Sequence, residues 1–229
     1  MEIDRISGIL NVDKPAGLSS ARVVDRAKRL LPRGTKIGHA GTLDPFATGV
    51  LLLLVGKGTK LCEQLMGQPK QYETTVKLGA TTETLDPESE EIPVPPAAIP
   101  TPEAVQSAVA AMTGTVMQRP PAFSAMKVGG RRAYDLARQG KTVDLPPRPV
   151  QIYRMELLAY TWPTLSLRID CGRGTYVRSI ARDLGEALGT SGYLLELRRT
   201  RIGRFDLATA KTLEQLGQGD VRDHLQPLE

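Results

Sequence analysis

The chain has 229 residues, enough for one large domain or two small ones and for a sizeable core. Its 41% hydrophobic and 24% charged residues are those of an ordinary soluble protein, and its longest apolar run, Val50 to Val55, falls far short of a bilayer span. The excess of 30 Lys+Arg over 25 Asp+Glu gives +5, which fits a nucleic-acid partner without requiring one.

Met1 to Leu10 carries Glu2 and Asp4 and has no apolar core, so it does not read as a signal peptide, and a cytoplasmic location is expected. Gly8 to Val12 reads as a short strand ended by Asp13-Lys14-Pro15. Ser19 or Ser20 can cap a helix running to about Leu31, with Val23, Val24, Ala27, Leu30 and Leu31 on its apolar face. Pro32-Arg33-Gly34 stops it, and a glycine-rich stretch, Gly38 to Gly49, follows. Val50 to Val55 reads as a buried strand, Thr59 to Met66 as a short helix and Tyr72 to Leu78 as a strand. The acidic, proline-rich Thr81 to Pro100 reads as an exposed loop.

Thr101-Pro102-Glu103 opens a helix, with a cap, a proline at its first position and an early acid, and Gly114 is expected to end it. Arg119 to Lys127 is irregular, Gly129-Gly130 introduces a basic helix near Arg131 to Gln139, and Leu145 to Pro149 reads as a hinge. Leu165, Leu167, Ile169 and Cys171 alternate with polar residues as in a strand with one buried face. Thr175 can cap a helix whose stripe is Val177, Ile180, Ala181, Leu184, Ala187 and Leu188. Tyr193 to Arg199 and Arg201 to Leu207 read as a final pair of strands, followed by a weak helix at Thr212 to Leu216 and a ragged end. The mixture lacks a strict β-α-β rhythm and predicts an α+β fold with a mixed or antiparallel sheet.

Cys62 and Cys171 stand far apart among apolar neighbours and read as small core residues. With His39 and His224 the only histidines, a structural zinc site is not expected. Aromatic residues make up 4%, so base recognition would use a few placed rings, not a broad stacking platform.

The segment that stands out chemically is Gly38-His39-Ala40-Gly41-Thr42-Leu43-Asp44-Pro45-Phe46-Ala47-Thr48-Gly49. Its glycines permit close approach of another backbone, and Pro45 biases Asp44 towards an extended conformation that holds its carboxylate clear of the turn. On local pattern the same residues also read as a structural turn in which Asp44 bonds nearby amides. Gly56-Lys57-Gly58-Thr59-Lys60 is not a phosphate loop, because Gly58 stands where Ser or Thr is required and Leu51 where glycine is. Arg178, in the first turn of its helix, opposes the helix dipole, which calls for a compensating carboxylate or phosphate or else for plain solvation.

Together these stretches resemble the TruB family of pseudouridine synthases. The likeness is carried by Asn11-Val12-Asp13-Lys14-Pro15-Ala16-Gly17, by the Leu43-Asp44-Pro45 segment and by Tyr72. It continues through Pro120-Pro121-Ala122-Phe123-Ser124-Ala125-Met126-Lys127, Tyr134, Ala137-Arg138-Gln139-Gly140, Gly174-Thr175-Tyr176-Val177-Arg178-Ser179-Ile180 and Leu197-Arg198-Arg199. It extends from Gly8 to about Leu216.

The resemblance implies a pseudouridine synthase fold, a mixed, mostly antiparallel sheet flanked by helices with a central cleft. It implies an RNA-clasping insert at 119–150, and the chain is expected to be a single catalytic domain over 1–229; many bacterial family members continue into a C-terminal PUA-type domain, and the expectation of none here is a departure from that pattern. The resemblance implies an isomerase acting on the T-arm uridine of tRNA, position 55, with no cofactor, metal or membrane partner, working as a monomer. Asp44 would be the catalytic carboxylate, Arg178 its ion-pair partner, and Tyr72 the ring covering the detached uracil. His39, Tyr176 and Leu197 would contact the base or sugar, while Lys14, Lys127, Arg131 and Arg132 would meet phosphates. Asp44 would serve either as a nucleophile at C1′ or as the base that takes the C2′ proton. Two other readings, an RNA-binding protein without turnover and an RNA N-glycosidase, differ from this one in their products.

Overall fold

The computed structural model describes residues 6–228 apart from 125, 129 and 142, and at 127, 128 and 132 it describes the backbone alone. Met1–Asp4, Ala125 and Gly129, which enter the sequence expectations, lie outside the described residues, as do the side chains of Lys127 and Arg132.

In chain order the first elements are β1 (Gly8–Lys14), α1 (Ser20–Lys28), β2 (Ile37–His39), β3 (Thr48–Val55), a 3-10 turn (Gly56–Leu61), α2 (Cys62–Gly67) and β4 (Lys70–Leu78). Next come β5 (Ala80–Thr82), β6 (Glu91–Pro93), α3 (Pro102–Ala111), β7 (Gly114–Gln118), β8 (Lys127–Val128), β9 (Arg131–Arg132) and α4 (Ala133–Ala137). The rest are β10 (Arg148–Thr161), β11 (Thr164–Cys171), α5 (Val177–Ala187), β12 (Gly192–Ile202), β13 (Phe205–Asp206), α6 (Leu213–Leu216) and a 3-10 turn at Val221–His224. The fold is α+β, and its strands pair in a mixed, mostly antiparallel sheet, as expected.

The chain divides into two compact units, one of residues 1–72 with 197–229 and the other of 73–196. In the first, β3 pairs antiparallel with β1 from Gly8↔Val55 to Lys14↔Gly49. It also pairs antiparallel with β2 and parallel with β12 at Arg198↔Thr48 and Arg199↔Gly49. The apolar run at 50–55 is covered on both faces, which is why it does not alternate with polar residues. Leu51, Leu53 and Val55 pack with Leu10, Val12, Val23 and Ala27, and Val50, Leu52 and Leu54 pack with Ile9, Ala40, Ile202 and Phe205. Ser19 caps α1, as the sequence suggests, by accepting from the Arg22 N–H, but Leu30 lies past the helix end and is exposed. Thr212 forms a capping box with Gln215 on α6. The expected ragged end is instead fastened, since Ile9 and Gln226 exchange both backbone hydrogen bonds.

In the second unit the strands run β12–β4–β11–β10–β7. β11 alternates buried and half-buried residues as predicted. β10 has no regular alternation in the sequence because two register shifts, at 152–154 and 157–159, interrupt it. Gly114 does not cap α3, which ends at Ala111; it starts β7 with φ +107. The basic helix expected over 131–139 is a hairpin, β8–β9, turning at Gly130 (φ +81), followed by the short α4. The expected loop at 81–100 contains the β5–β6 pair and a carboxylate, Asp86, that is 1% exposed. At the end of the chain the expected two strands are mainly one, β12, which turns at Gly203 into the two-residue β13.

Candidate active site

The Asp44 segment lies in the first unit, between β2 and β3, and its neighbours are held from several directions. Ser20, buried at the start of α1, accepts the Leu43 N–H (2.9 Å) and donates to the Leu43 carbonyl (3.0 Å). On the other side of Asp44, the Pro45 carbonyl accepts from Lys14 Nζ (3.1 Å) and from the Gly17 N–H (2.8 Å). The Asp44 carbonyl accepts the Ala47 N–H at 3.1 Å, closing a tight turn. Leu43 and Ala47 are buried while Asp44 is half-buried, so the segment is anchored by its flanks and presents the acid at its crest. Such fixation is how a loop holds a reactive group in one orientation.

Lys14 does not sit where a phosphate ligand would. It is fully buried, and its ammonium also donates to the carbonyls of Pro15 (2.9 Å) and Leu18 (2.7 Å). A buried ammonium is tolerable only when its donors are used, and here they tie the end of β1 to Pro45. Arg199 is 1% exposed, and its guanidinium donates to the carbonyls of Gly41, Thr42 and Val50. Arg198, beside it, reaches Asp13 at 2.9 Å and Thr48 at 3.2 Å.

His39 is half-buried at the end of β2. Burial first and the nearby Arg199 charge second hold its imidazole below the usual histidine value, so it is neutral at neutral pH. Its Nδ1 is buried without a hydrogen-bond partner among the described residues, and its carbonyl accepts from Cys62 Sγ at 3.7 Å. Cys62 is half-buried and Cys171 is buried. Tyr72 lies on the buried face of β4, whose residues alternate without interruption from Lys70 to Leu78. Leu197 on β12 is 7% exposed.

Arg178 and Tyr176 belong to the second unit. Thr175 is not the cap of α5; its hydroxyl donates to the Gly172 carbonyl, and the N-cap is Tyr176. The buried Gln118 clamps that residue, its amide oxygen accepting the Tyr176 N–H (2.8 Å) and its amide nitrogen donating to the Tyr176 carbonyl (3.1 Å). The Arg148 guanidinium lies 5.4 Å from the Tyr176 ring centre and donates to the Gly174 carbonyl. Arg178 is buried in the first turn of α5 and donates to Asp86 Oδ2 (3.1 Å) and to the carbonyls of Thr84 (2.9 Å) and Phe123 (2.9 Å). Asp86 is in turn fixed by the Thr84 hydroxyl (2.5 Å) and the Glu88 N–H (3.0 Å). The compensation that Arg178 calls for thus includes a buried carboxylate from the 81–100 stretch, whose composition leads one to expect an exposed loop.

Among the described residues no group of three or more His, Cys, Asp or Glu side chains forms a candidate metal centre. Among the described residues no helix is long and apolar enough to cross a membrane.

Comparison with known proteins gives the family. Residues 28–177 match the TruB family pseudouridylate synthase (N terminal domain), and residues 178–229 match the tRNA pseudouridylate synthase B C-terminal domain. The chain is 47% identical over 215 residues to the tRNA pseudouridine synthase B of Mycobacterium tuberculosis (strain ATCC 25618 / H37Rv), covering 92% of this chain and 72% of that one. To its counterpart from Mycobacterium sp. (strain KMS) it is 49% identical over 222 residues, covering 95% and 74%. Among solved structures it resembles a chain of a Cbf5-Nop10-Gar1 complex, with TM-score 0.73 and 29% identity. It also resembles a chain of an H/ACA RNP bound to a substrate RNA containing 2′-deoxyuridine, with TM-score 0.71 and 26% identity. This chain is covered to 96% in both likenesses and spans 60% and 59% of those chains. The chain belongs to the TruB family of pseudouridylate synthases.

Proposed function

We propose that this protein isomerises the T-arm uridine of tRNA, position 55, to pseudouridine, with Asp44 as the catalytic carboxylate. The observation that carries the reading is the anchoring of the Asp44 segment on both flanks, by Ser20 at Leu43 and by Lys14 and Gly17 at Pro45. Family membership and the tRNA named in its relatives support it.

The reaction breaks the bond between C1′ and N1, turns the base, and joins C1′ to C5. The C5 proton is released and N1 gains one, so atoms and oxidation states balance without a cofactor, a metal or water as a reactant. A carboxylate beside C1′ does half the work of a retaining glycosidase, as a nucleophile or by stabilising cationic character. The alternative role is abstraction of the C2′ proton. Tyr72 offers a ring and a hydroxyl to the detached uracil. Arg178 supplies a buried cation that favours an ionised acid. The target base leaves its stack to react, and His39, Tyr176 and Leu197 receive it. Arg131, Lys127 and Arg132, in the 119–150 clasp, meet backbone phosphates. Lys14 acts by positioning Pro45 and not by binding RNA. The protein works as a monomer in the cytoplasm.

The test is tritium release from T-arm stem-loop RNA labelled at C5 of uridine, with wild type beside Asp44→Asn and RNA binding measured for both. Release by wild type alone, with binding retained in Asp44→Asn, is the expected result. Binding without release by wild type would leave an RNA-binding protein, and free uracil in the product would reveal an N-glycosidase.

A further inference from the structure

Among the described residues of the first unit Arg199 is the largest fully buried side chain, and it is charged. A guanidinium in that position is costly unless its donors are occupied. Nε donates to the Val50 carbonyl at 2.7 Å, Nη2 to Gly41 at 3.2 Å and Nη1 to Thr42 at 3.3 Å. These acceptors lie at the two ends of the segment that carries Asp44: Gly41 and Thr42 precede the acid, and Val50 follows the segment into β3. The backbone of Arg199 closes the same arrangement. It pairs with Gly49 in parallel register, so closely that a side-chain carbon at Gly49 would stand 2.2 Å from the Arg199 carbonyl oxygen.

We propose that Arg199 is a positioning residue for the isomerisation: its planar fork ties Gly41 and Thr42 to Val50 and thereby sets the attitude of the Asp44 carboxylate. A lysine could not do the same, because a single ammonium on a flexible stem does not span acceptors on both sides of a loop. An apolar side chain would fill the volume and leave the buried Val50 carbonyl, and the part-buried carbonyls of Gly41 and Thr42, without this donor. The charge has a second effect on the same segment, since it reinforces burial in keeping the His39 imidazole neutral. The inference rests on Asp44 being the catalytic carboxylate.

The experiment compares wild type, Asp44→Asn, Arg199→Lys and Arg199→Gln in single-turnover and steady-state assays on the stem-loop RNA. Amide hydrogen exchange is followed in the same proteins. In both Arg199 variants kcat is expected to fall about 100-fold, the scale of a small misplacement of a reacting group, with KM and RNA affinity unchanged. The Ala47 amide, which bonds the Asp44 carbonyl, is expected to exchange about tenfold faster or more, while Leu10 and Leu53 in the adjoining strands keep their protection. Wild-type kcat in Arg199→Lys, or an unchanged Ala47 amide, overturns the proposal. So does loss of native near-ultraviolet dichroism in both variants at the assay temperature, which would make Arg199 a folding residue only. If wild type itself shows no turnover, the reading of Asp44 fails instead, and Ala47 exchange alone decides whether Arg199 holds the loop.

Discussion

Ser20 and Leu43, 23 residues apart, are joined by two hydrogen bonds through one hydroxyl, which accepts the Leu43 N–H and donates to its carbonyl. Both groups of the residue preceding Asp44 are thereby satisfied inside the core. Ser20→Ala leaves them without that partner and is expected to destabilise the protein by about 1–3 kcal/mol. Turnover should fall further than the lost stability explains, with RNA affinity retained. Urea denaturation and single-turnover kinetics on one preparation measure both.

Asp86→Asn removes the carboxylate 3.1 Å from the Arg178 guanidinium, where the two side chains are 2% and 7% exposed. Breaking a buried pair from one side costs about 3–5 kcal/mol, and the carbonyls of Thr84 and Phe123 remain on Arg178, so about 3 kcal/mol is expected. Thermal and denaturant unfolding give the value, and a variant as stable as wild type would contradict this account of the 81–100 stretch.

Gly49→Ala is expected to be among the most disruptive single changes in the first unit. The backbone there has φ +103, and the added carbon would meet the Arg199 carbonyl oxygen at 2.2 Å. Strain and overlap together are expected to cost more than about 3 kcal/mol, seen as a lowered unfolding midpoint.

His39 gives a dependence on pH. Burial and, second, Arg199 put its folded value below 6.5, so the unfolded chain takes up the proton first as pH falls. The stabilisation from a neutral His39 is complete above 6.5 and is lost as pH drops through 6.5 and then through the folded value. Carboxylates titrate in wild type and His39→Gln alike, so wild type should lose more stability than the variant between about pH 7.5 and about pH 5. Parallel curves would show that His39 is not held neutral.

The parts of this protein legible in its sequence are those whose causes are local. The period of 165–171 gives β11, the unbroken apolar run gives β3, and Ser19 gives the start of α1. The unusual segment around Asp44 could be singled out from its glycines and its acid-proline pair. What holds it could not, because Lys14 and Arg199 look like surface charges until their acceptors are known. Arg199 meets Thr42 across 157 positions of chain, and Arg178 meets Asp86 across 92. Gln118 gave no signal at all, since an amide clamping a helix start 58 residues away leaves no local pattern. β10 was missed for a different reason: its register shifts put successive core-facing residues out of phase.

The unit that carries Arg178 is one continuous stretch, 73–196, whereas the unit that carries Asp44 needs both 1–72 and 197–229. During synthesis on the ribosome the first of these is complete in sequence while the second still lacks β13, α6 and the stretch that bonds Ile9. Arg199, which fastens the Asp44 segment, is itself among the residues still to come. Until it emerges the nascent chain has the Asp44 segment without those hydrogen bonds, and the order of translation puts their formation after the whole of 73–196 has been made.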